Sequence, residues 1–228
     1  MPTRPTTGSA TEPVLTARLV LTPVGPEDVG DLVHLYNDPQ VAFWTGPWTD
    51  AAVEVWATQM AARWAAEGVG KWMARDRWDG SLVGRGGFTR FDLDGEAVLE
   101  LGWVVRDART GRGYATEIGR AALAWAAEHE PRLPIVAFTE VHNRASRAVM
   151  ERLGLRPAGT IRREGLVEGL TGVQPEAPFA LYRYRSVVHR RNDDVHDDVG
   201  GEVSQHGGQQ APLPVQPAEH ESTDPVEQ

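Results

Sequence analysis

The chain reads as a mixed α/β protein of the α+β class, a mostly antiparallel central sheet flanked by helices, and three patterns lead there. Within residues 99–125, Leu99, Leu101, Trp103 and Val105 alternate with Glu100, Gly102 and Val104, the period of a strand with one face on a core. From Thr116 the period lengthens: Ile118, Ala122 and Trp125 recur at helical spacing until Pro131 halts the pattern. Asp79-Gly80 and Asp94-Gly95 stand between apolar runs as hairpin signals, which make neighbouring strands antiparallel. Helical and extended segments interleave along the chain, so the sheet is expected to carry helices over it.

In chain order, residues 18–22 (RLVLT) form a short strand closed by Pro23. Pro26, Val29, Leu32, Val33 and Tyr36 give helical spacing over residues 26–36, and the helix stops before Pro39. Residues 41–48 are too short and too punctuated by Gly46 and Pro47 to be regular. Asp50 can cap a second helix with Val53, Trp56, Met60 and Trp64 on its apolar face, ending near Glu67-Gly68. Residues 71–77 and 81–89 are strands, and the turn at Asp94-Gly95 feeds the central strand. Residues 135–139 (IVAFT), preceded by Pro134, are a continuous apolar run, as expected of a strand buried on both faces. Residues 143–152 form a helix with Gly154 as its stop, and residues 160–163 and 179–185 are final strands around a Gly/Pro-rich loop, 164–178.

Charge is distributed unevenly over the 228 residues, whose net charge is −9. Residues 189–228 hold nine carboxylates against Arg190 and Arg191, hence seven of those nine charges, and contain no Trp, Phe or Tyr. Such a stretch cannot bury enough apolar area to order itself, so it reads as a disordered acidic tail, as residues 1–14 read as a disordered N-terminus, around one domain over 15–188. The near-neutral remainder lacks the basic surplus of a nucleic-acid binder. With no cysteine there is no disulfide, no thiolate metal site and no cysteine nucleophile; no metal is expected. No apolar run reaches the 18 or so residues of a membrane span and residues 1–13 lack a signal-like core, so a cytoplasmic protein with no membrane partner, monomer or homodimer, is expected.

Between the central strand and its helix lies Thr110-Gly111-Arg112-Gly113-Tyr114-Ala115. Two glycines can expose successive N–H groups, and the helix adds its own unpaired N–H groups and positive dipole end: an anion seat. The spacing is neither that of a P-loop nor that of a dinucleotide-binding turn.

With those residues in view the chain resembles the GNAT family of N-acetyltransferases, whose signature is Gln or Arg, two residues, Gly, one residue, then Gly or Ala. Within it the likeness is to the branch holding the ribosomal-protein N-terminal acetyltransferases and relatives acting on small amines. Gly111, Gly113 and Ala115 fit, Thr110 stands at the Gln/Arg position with Arg109 beside it, and the likeness spans about residues 15–185. It implies acetyl-CoA as donor, with its pyrophosphate on the N–H groups from Arg109, Thr110, Gly111, Arg112, Gly113, Tyr114 and Ala115. A second run, Asn143-Arg144-Ala145-Ser146 followed by Leu153-Gly154-Leu155, matches the family segment in which the Asn contacts the pantetheine amide; by its residues alone Asn143 is equally a helix cap. Where many members carry a Tyr that protonates the leaving thiolate, this chain has Met150, whose thioether donates nothing. Ser146, one turn earlier on the face of Asn143, is the substitute donor or a small packing residue.

The resemblance also implies direct transfer in a ternary complex, to a small-molecule amine or a peptide N-terminus. An ammonium must lose its proton before attacking a thioester, so a base is required. Glu100, on the strand face opposite Leu99 and Leu101, is the leading candidate, or else a salt-bridged surface glutamate; Glu140 and His142 are rivals. The oxyanion would be held by a strand N–H near Trp103 or Val104, and the resemblance implies Trp103, Val104 and Val105 as cofactor-binding residues. The segment with Trp44 and Trp48 lines the acceptor pocket in the family, or these rings pack under the loop. Thr110 and Met150 leave open the alternative of a non-catalytic acyl-CoA sensor or partner module. Because residues 189–228 lack core-forming side chains, their deletion is expected to leave melting temperature and cofactor affinity unchanged. A drop in either, read by thermal denaturation and calorimetry, would show the tail docked on the domain.

Overall fold

The computed structural model describes residues 12–46 and 48–184. The expected disordered ends therefore lie outside the described residues, except for positions 12–14. Strands β1 (Val14–Leu15), β2 (Leu19–Pro23), β3 (Lys71–Asp76), β4 (Leu82–Leu93), β5 (Glu96–Val105), β6 (Ile135–Glu140), β7 (Leu155–Gly165) and β8 (Gln174–Tyr184) make one sheet in the order β1-β2-β3-β4-β5-β6-β8-β7. Every pairing is antiparallel except β5 with β6, which is parallel.

Turn chemistry fixes the long β4–β5 hairpin. Asp94 and Gly95 both take positive φ, +54° and +87°, as a two-residue turn matching strand twist requires, and the Gly95 N–H donates to the Asp92 carboxylate at 2.8 Å. Its register pairs Glu100 with Thr89, Gly102 with Gly87 and Val104 with Arg85. Burial of Leu99 and Leu101 on one face then sends Glu100, Gly102 and Val104 to the other.

Helix α4 (Tyr114–His129) and α5 (Arg144–Arg152) cover the first face, and α1 (Val29–Tyr36), α2 (Pro39–Thr45) and α3 (Asp50–Glu67) belong to the core on the second. On the α4 side Trp72 has no exposed surface and meets Trp64 and Trp125 at 5.5 Å between ring centroids. Each fully buried Leu or Ile here, such as Leu99, Leu101 and Ile118, stabilises the face by about 1.5–3 kcal/mol. Gly86 lets α4 close on the sheet, since a Cβ there would stand 2.5 Å from Ile118 Cγ2. On the other side Trp48 stacks on Tyr36 at 4.2 Å and meets Trp56 edge-on at 6.3 Å.

Several boundaries differ from the sequence reading. The segment expected to be irregular contains α2: Pro39 occupies its first turn and the Asp38 carboxylate caps it by accepting from the Gln40 N–H at 3.2 Å. Thr49 rather than Asp50 caps α3, accepting from the Ala52 N–H; Gly68 ends it in the left-handed region, as expected. Residues Pro26–Asp28 are a 3-10 turn ahead of α1, and α4 begins at Tyr114, two residues early. The final strands are longer than read, so the loop between them shrinks to 166–173.

One contact ties the chain's start to α4. The Glu117 carboxylate accepts from the Thr16 hydroxyl at 2.6 Å, the Arg18 N–H at 2.9 Å and the Arg18 Nε at 2.7 Å. Arg18 also donates to the Arg112 carbonyl at 3.0 Å and lies 4.2 Å from the centre of the Tyr114 ring. Burial pulls the Glu117 pKa upward, but these donors outweigh it and hold it below the usual carboxylate range. A depressed carboxyl stabilises above its unfolded pKa of about 4.3, and that contribution is lost as pH falls through the lower folded value. Glu117→Gln is expected to lower the melting temperature at pH 7 by about 2–4 °C, as a loss near 1 kcal/mol would. The gap from wild type should shrink in thermal scans taken below about pH 4; a gap constant with pH would assign the role to packing alone.

Candidate active site

The site begins where the parallel ladder ends. Only Leu99↔Ile135 and Glu100↔Val136 pair across β5 and β6, although β5 continues to Val105 and β6 to Glu140. The Leu99 N–H points across this gap, donating to the Pro134 carbonyl at 2.8 Å, whereas the Arg106 N–H donates to Val83 on the β4 side. By the alternation of a strand, Leu101, Trp103 and Val105 turn their backbone groups into the gap and Val104 turns its own toward β4. Of the two neighbours expected near the oxyanion, the Trp103 N–H faces the gap and the Val104 N–H faces β4. The parted strands open into a cleft of about 1730 Å³.

At one end of the cleft stands the glycine elbow. Gly111 and Gly113 have φ of +69° and +81°, a conformation that L side chains adopt with strain, and Gly113 caps α4. Among the described residues no protein acceptor takes the N–H groups from Gly111 to Thr116. The seat is narrower than expected at its start. The Arg109 N–H is held by the Arg106 carbonyl, and the Thr110 N–H and hydroxyl by the Asp107 carbonyl, because residues Asp107–Arg109 form a 3-10 turn. The Arg109 guanidinium bonds to the Ser81 hydroxyl at 2.7 Å and lies 3.7 Å from the Asp76 carboxylate. Arg112 is exposed, and it is Gly111, Gly113, Tyr114, Ala115 and Thr116 that continue the cleft wall from Thr110.

Across the gap, α5 presents Asn143, Ser146 and Met150. Asn143 is the cap, its Oδ1 accepting from the Ser146 N–H at 3.1 Å, and is buried at the cleft wall. The Ser146 hydroxyl has no protein partner among the described residues. Met150 is almost fully buried, and Ser146, one turn earlier on α5, also lines the cleft.

The two candidate carboxylates sit in different surroundings. Glu100 is paired with Lys71, Nζ to Oε2 2.9 Å, and the same ammonium donates to the Gly87 carbonyl at 3.0 Å. Lys71 is buried; desolvation pushes its pKa down, opposed by Glu100. Glu140, at the end of β6, is buried with the Thr139 hydroxyl at 3.3 Å, and burial pushes its pKa up. His142 packs on the Trp44 ring at 5.2 Å and does not line the cleft. Trp44 is half-buried at the cleft wall, whereas Trp48 is mainly a core residue that reaches the cleft beneath Tyr36. Lys71, Arg85, Arg63 and Trp56, which also line the cleft, escaped the sequence reading. The register of β3 and β4 against β5 brings Lys71 and Arg85 toward Glu100, and the packing of α3 adds Arg63 and Trp56; the glycines of the run 84–87 were the one local sign of a backbone approached closely.

Comparison with known proteins agrees with the fold. The chain is 28% identical over 130 residues to the uncharacterized protein YkkB of Bacillus subtilis (strain 168), covering 57% of this chain and 76% of that one. A GNAT-family acetyltransferase structure from Bordetella pertussis superposes with a TM-score of 0.64 at 24% identity, covering 76% of this chain and 99% of the other. RimL, a ribosomal L7/L12 α-N-protein acetyltransferase in complex with coenzyme A, superposes with a TM-score of 0.59 at 16% identity, over 75% and 97% of the two chains. The model of the acetyltransferase (GNAT) domain matches residues 18–156, which take in the locking arginine, the glycine elbow, the parted strands and the capped helix α5; the chain belongs to the GNAT acetyltransferase family.

Proposed function

We propose that this chain transfers the acetyl group of acetyl-CoA to a primary amine, a small molecule or a protein N-terminus, by direct attack in a ternary complex. The observation that carries the reading is the gap between β5 and β6, which leads to the elbow: an extended ligand with amide groups satisfies the open strand edge while its pyrophosphate meets the N–H groups of residues 111–116. Asn143 would meet a pantetheine amide. The deprotonated amine attacks the thioester carbonyl, the Trp103 N–H holds the oxyanion, and the C–S bond breaks to release the CoA thiolate. The proton leaves the amine for a cleft carboxylate, and Ser146 can protonate the thiolate. Glu100 and Glu140 compete as base: Glu100 has an adjacent cation, and burial raises the Glu140 pKa, the direction that favours proton uptake. Ribosomal-protein acetyltransferases among the structural neighbours support a peptide acceptor as one branch of the reading. The presence of Met150 favours the second reading, an acyl-CoA sensor without turnover.

Acetyl-CoA is expected to raise the melting temperature saturably, as any ligand of the native state does, and Gly113→Val should abolish the shift; NAD or ATP acting where CoA does not would overturn the assignment. For the chemistry, the readout is free thiol released from acetyl-CoA with a panel of amines and peptides. Replacing the true base by Gln should lower turnover about 10²-fold or more while acetyl-CoA affinity barely changes, and the loss should shrink at high pH, where free amine is abundant. Glu100→Gln and Glu140→Gln thus separate the two carboxylates. Ser146→Ala should cost less, because thiolate can take its proton from water. Binding of acetyl-CoA without turnover of any acceptor would establish the sensor.

A further inference from the structure

On the face of the sheet toward α1 and α3, strand registers build a pocket with an excess of positive charge. Lys71 and Met73 of β3, Arg85, Gly87 and Thr89 of β4, and Glu100, Gly102 and Val104 of β5 share this face, since Lys71 pairs with Gly87, Met73 with Arg85 and Gly87 with Gly102. Arg85 donates from Nε to the Tyr36 hydroxyl at 2.6 Å and its guanidinium lies 4.9 Å from the centre of the Trp56 ring. Among the described residues no carboxylate forms an ion pair with Arg85 or with Arg63 of α3. Both cations act electrostatically on Lys71, whose own charge is met by Glu100 alone. Arg63, Lys71 and Arg85 therefore face the cleft with one counter-charge between them.

Gly87 and Gly102 bring no side chains of their own to the row between Arg85 and Glu100, and the Glu100–Lys71 ion pair lies over Gly102. A Cβ at Gly102 would stand 2.8 Å from Glu100 Oε1 and 3.2 Å from Lys71 Nζ. Along β4 the levels of Arg85 and Thr89 are about 13 Å apart at about 3.3 Å per residue, a span the arginine and glutamate side chains shorten from both ends. Trp48 and Trp56 wall this space with apolar surface. A guanidinium stripped of much of its water and lacking a counter-ion favours an anion, and its fork matches a carboxylate in two bonds.

We infer that the acceptor is an amine that also carries a carboxylate: Arg85 receives the carboxylate, Arg63 adds to the field, and the amine lies on the cleft side of the Glu100–Lys71 pair. The inference rests on the amine-acetylation reading and adds a substrate class to it. The same chemistry is offered by a free amino acid with an apolar side chain and by a peptide N-terminus followed by an acidic residue.

The test compares matched acceptors by thiol release: L-phenylalanine against 2-phenylethylamine, and peptides with glutamate against glutamine at the second position. The carboxylate-bearing member of at least one pair should show kcat/KM about ten- to a hundredfold higher. Arg85→Gln should bring that ratio near one, Arg85→Lys should keep part of it, and Tyr36→Phe, which removes only the hydroxyl that Arg85 touches, should keep most of it. Retention of the acetyl-CoA thermal shift shows that each variant is folded. The pair that keeps its preference names the source. Equal rates within both pairs, or a preference surviving Arg85→Gln, overturns the inference. If no acceptor turns over, calorimetric binding of N-acetyl-L-phenylalanine against N-acetyl-2-phenylethylamine reads the same preference. Absence of turnover then counts against the enzyme reading, and absence of preference counts against this one.

Discussion

A parallel pair of strands normally continues its ladder for as long as both strands run, because each buried N–H and C=O needs a partner. Here β5 and β6 stop pairing after Glu100 and Val136, while β5 remains bonded to β4 and β6 to β8. The backbone groups of Trp103 and Val105, turned away from β4, thus have no strand partner and face a cleft. Everything else in the site is arranged along that seam: the anion seat at its mouth, Asn143 and Ser146 on the far side, and Glu100 at its apex. An isolated open seam would tend to close. Here each strand is committed to its outer neighbour and to a core, so closure would require repacking Leu99, Leu101 and Val136, all buried.

The two faces of the sheet divide the labour. The α4 side is aromatic and dry, with Trp64, Trp72 and Trp125 edge to edge, and its rigidity fixes where the helix N-terminus lies. The α1–α3 side mixes aromatic rings with Arg63, Lys71, Arg85 and Glu100, a composition poorly suited to a core but well suited to recognising a polar molecule. Glycines at positions 87 and 102 keep that surface close to the backbone of β4 and β5.

Much of the fold was legible because its signals are local. Period-two alternation marked β5, two Asp-Gly turns marked the hairpins, and Gly68 and Gly154 marked helix ends. Helix α2 was missed because Gly46-Pro47 weighed more heavily in the reading than the Asp38-Pro39 start signal, and a seven-residue helix shows little periodicity. In the site, the elbow and Asn143 were legible as motifs. The ion pair of Glu100 was foreseen only as an alternative, with no partner named, since Lys71 lies 29 residues away and reaches it only through strand register. Arg85 and Arg63 were invisible for the same reason: one arginine on a strand and one on a helix carry no sequence pattern in common. The seam itself had no signature, because the absence of pairing is a property of two strands and never of one.

The contact of Thr16 and Arg18 with Glu117 has a consequence for how the site comes into being. The residues it joins are about a hundred apart in the chain, and Arg18 reaches both the elbow carbonyl of Arg112 and the ring of Tyr114. The glycine elbow therefore cannot take its final shape as a local strand-turn-helix, however complete its motif, until the segment between the first two described strands has docked on α4. A growing chain would hold the whole motif yet leave the elbow unbraced while its first strands were unattached, and any load applied ahead of Thr16 is transmitted first to α4 and the elbow.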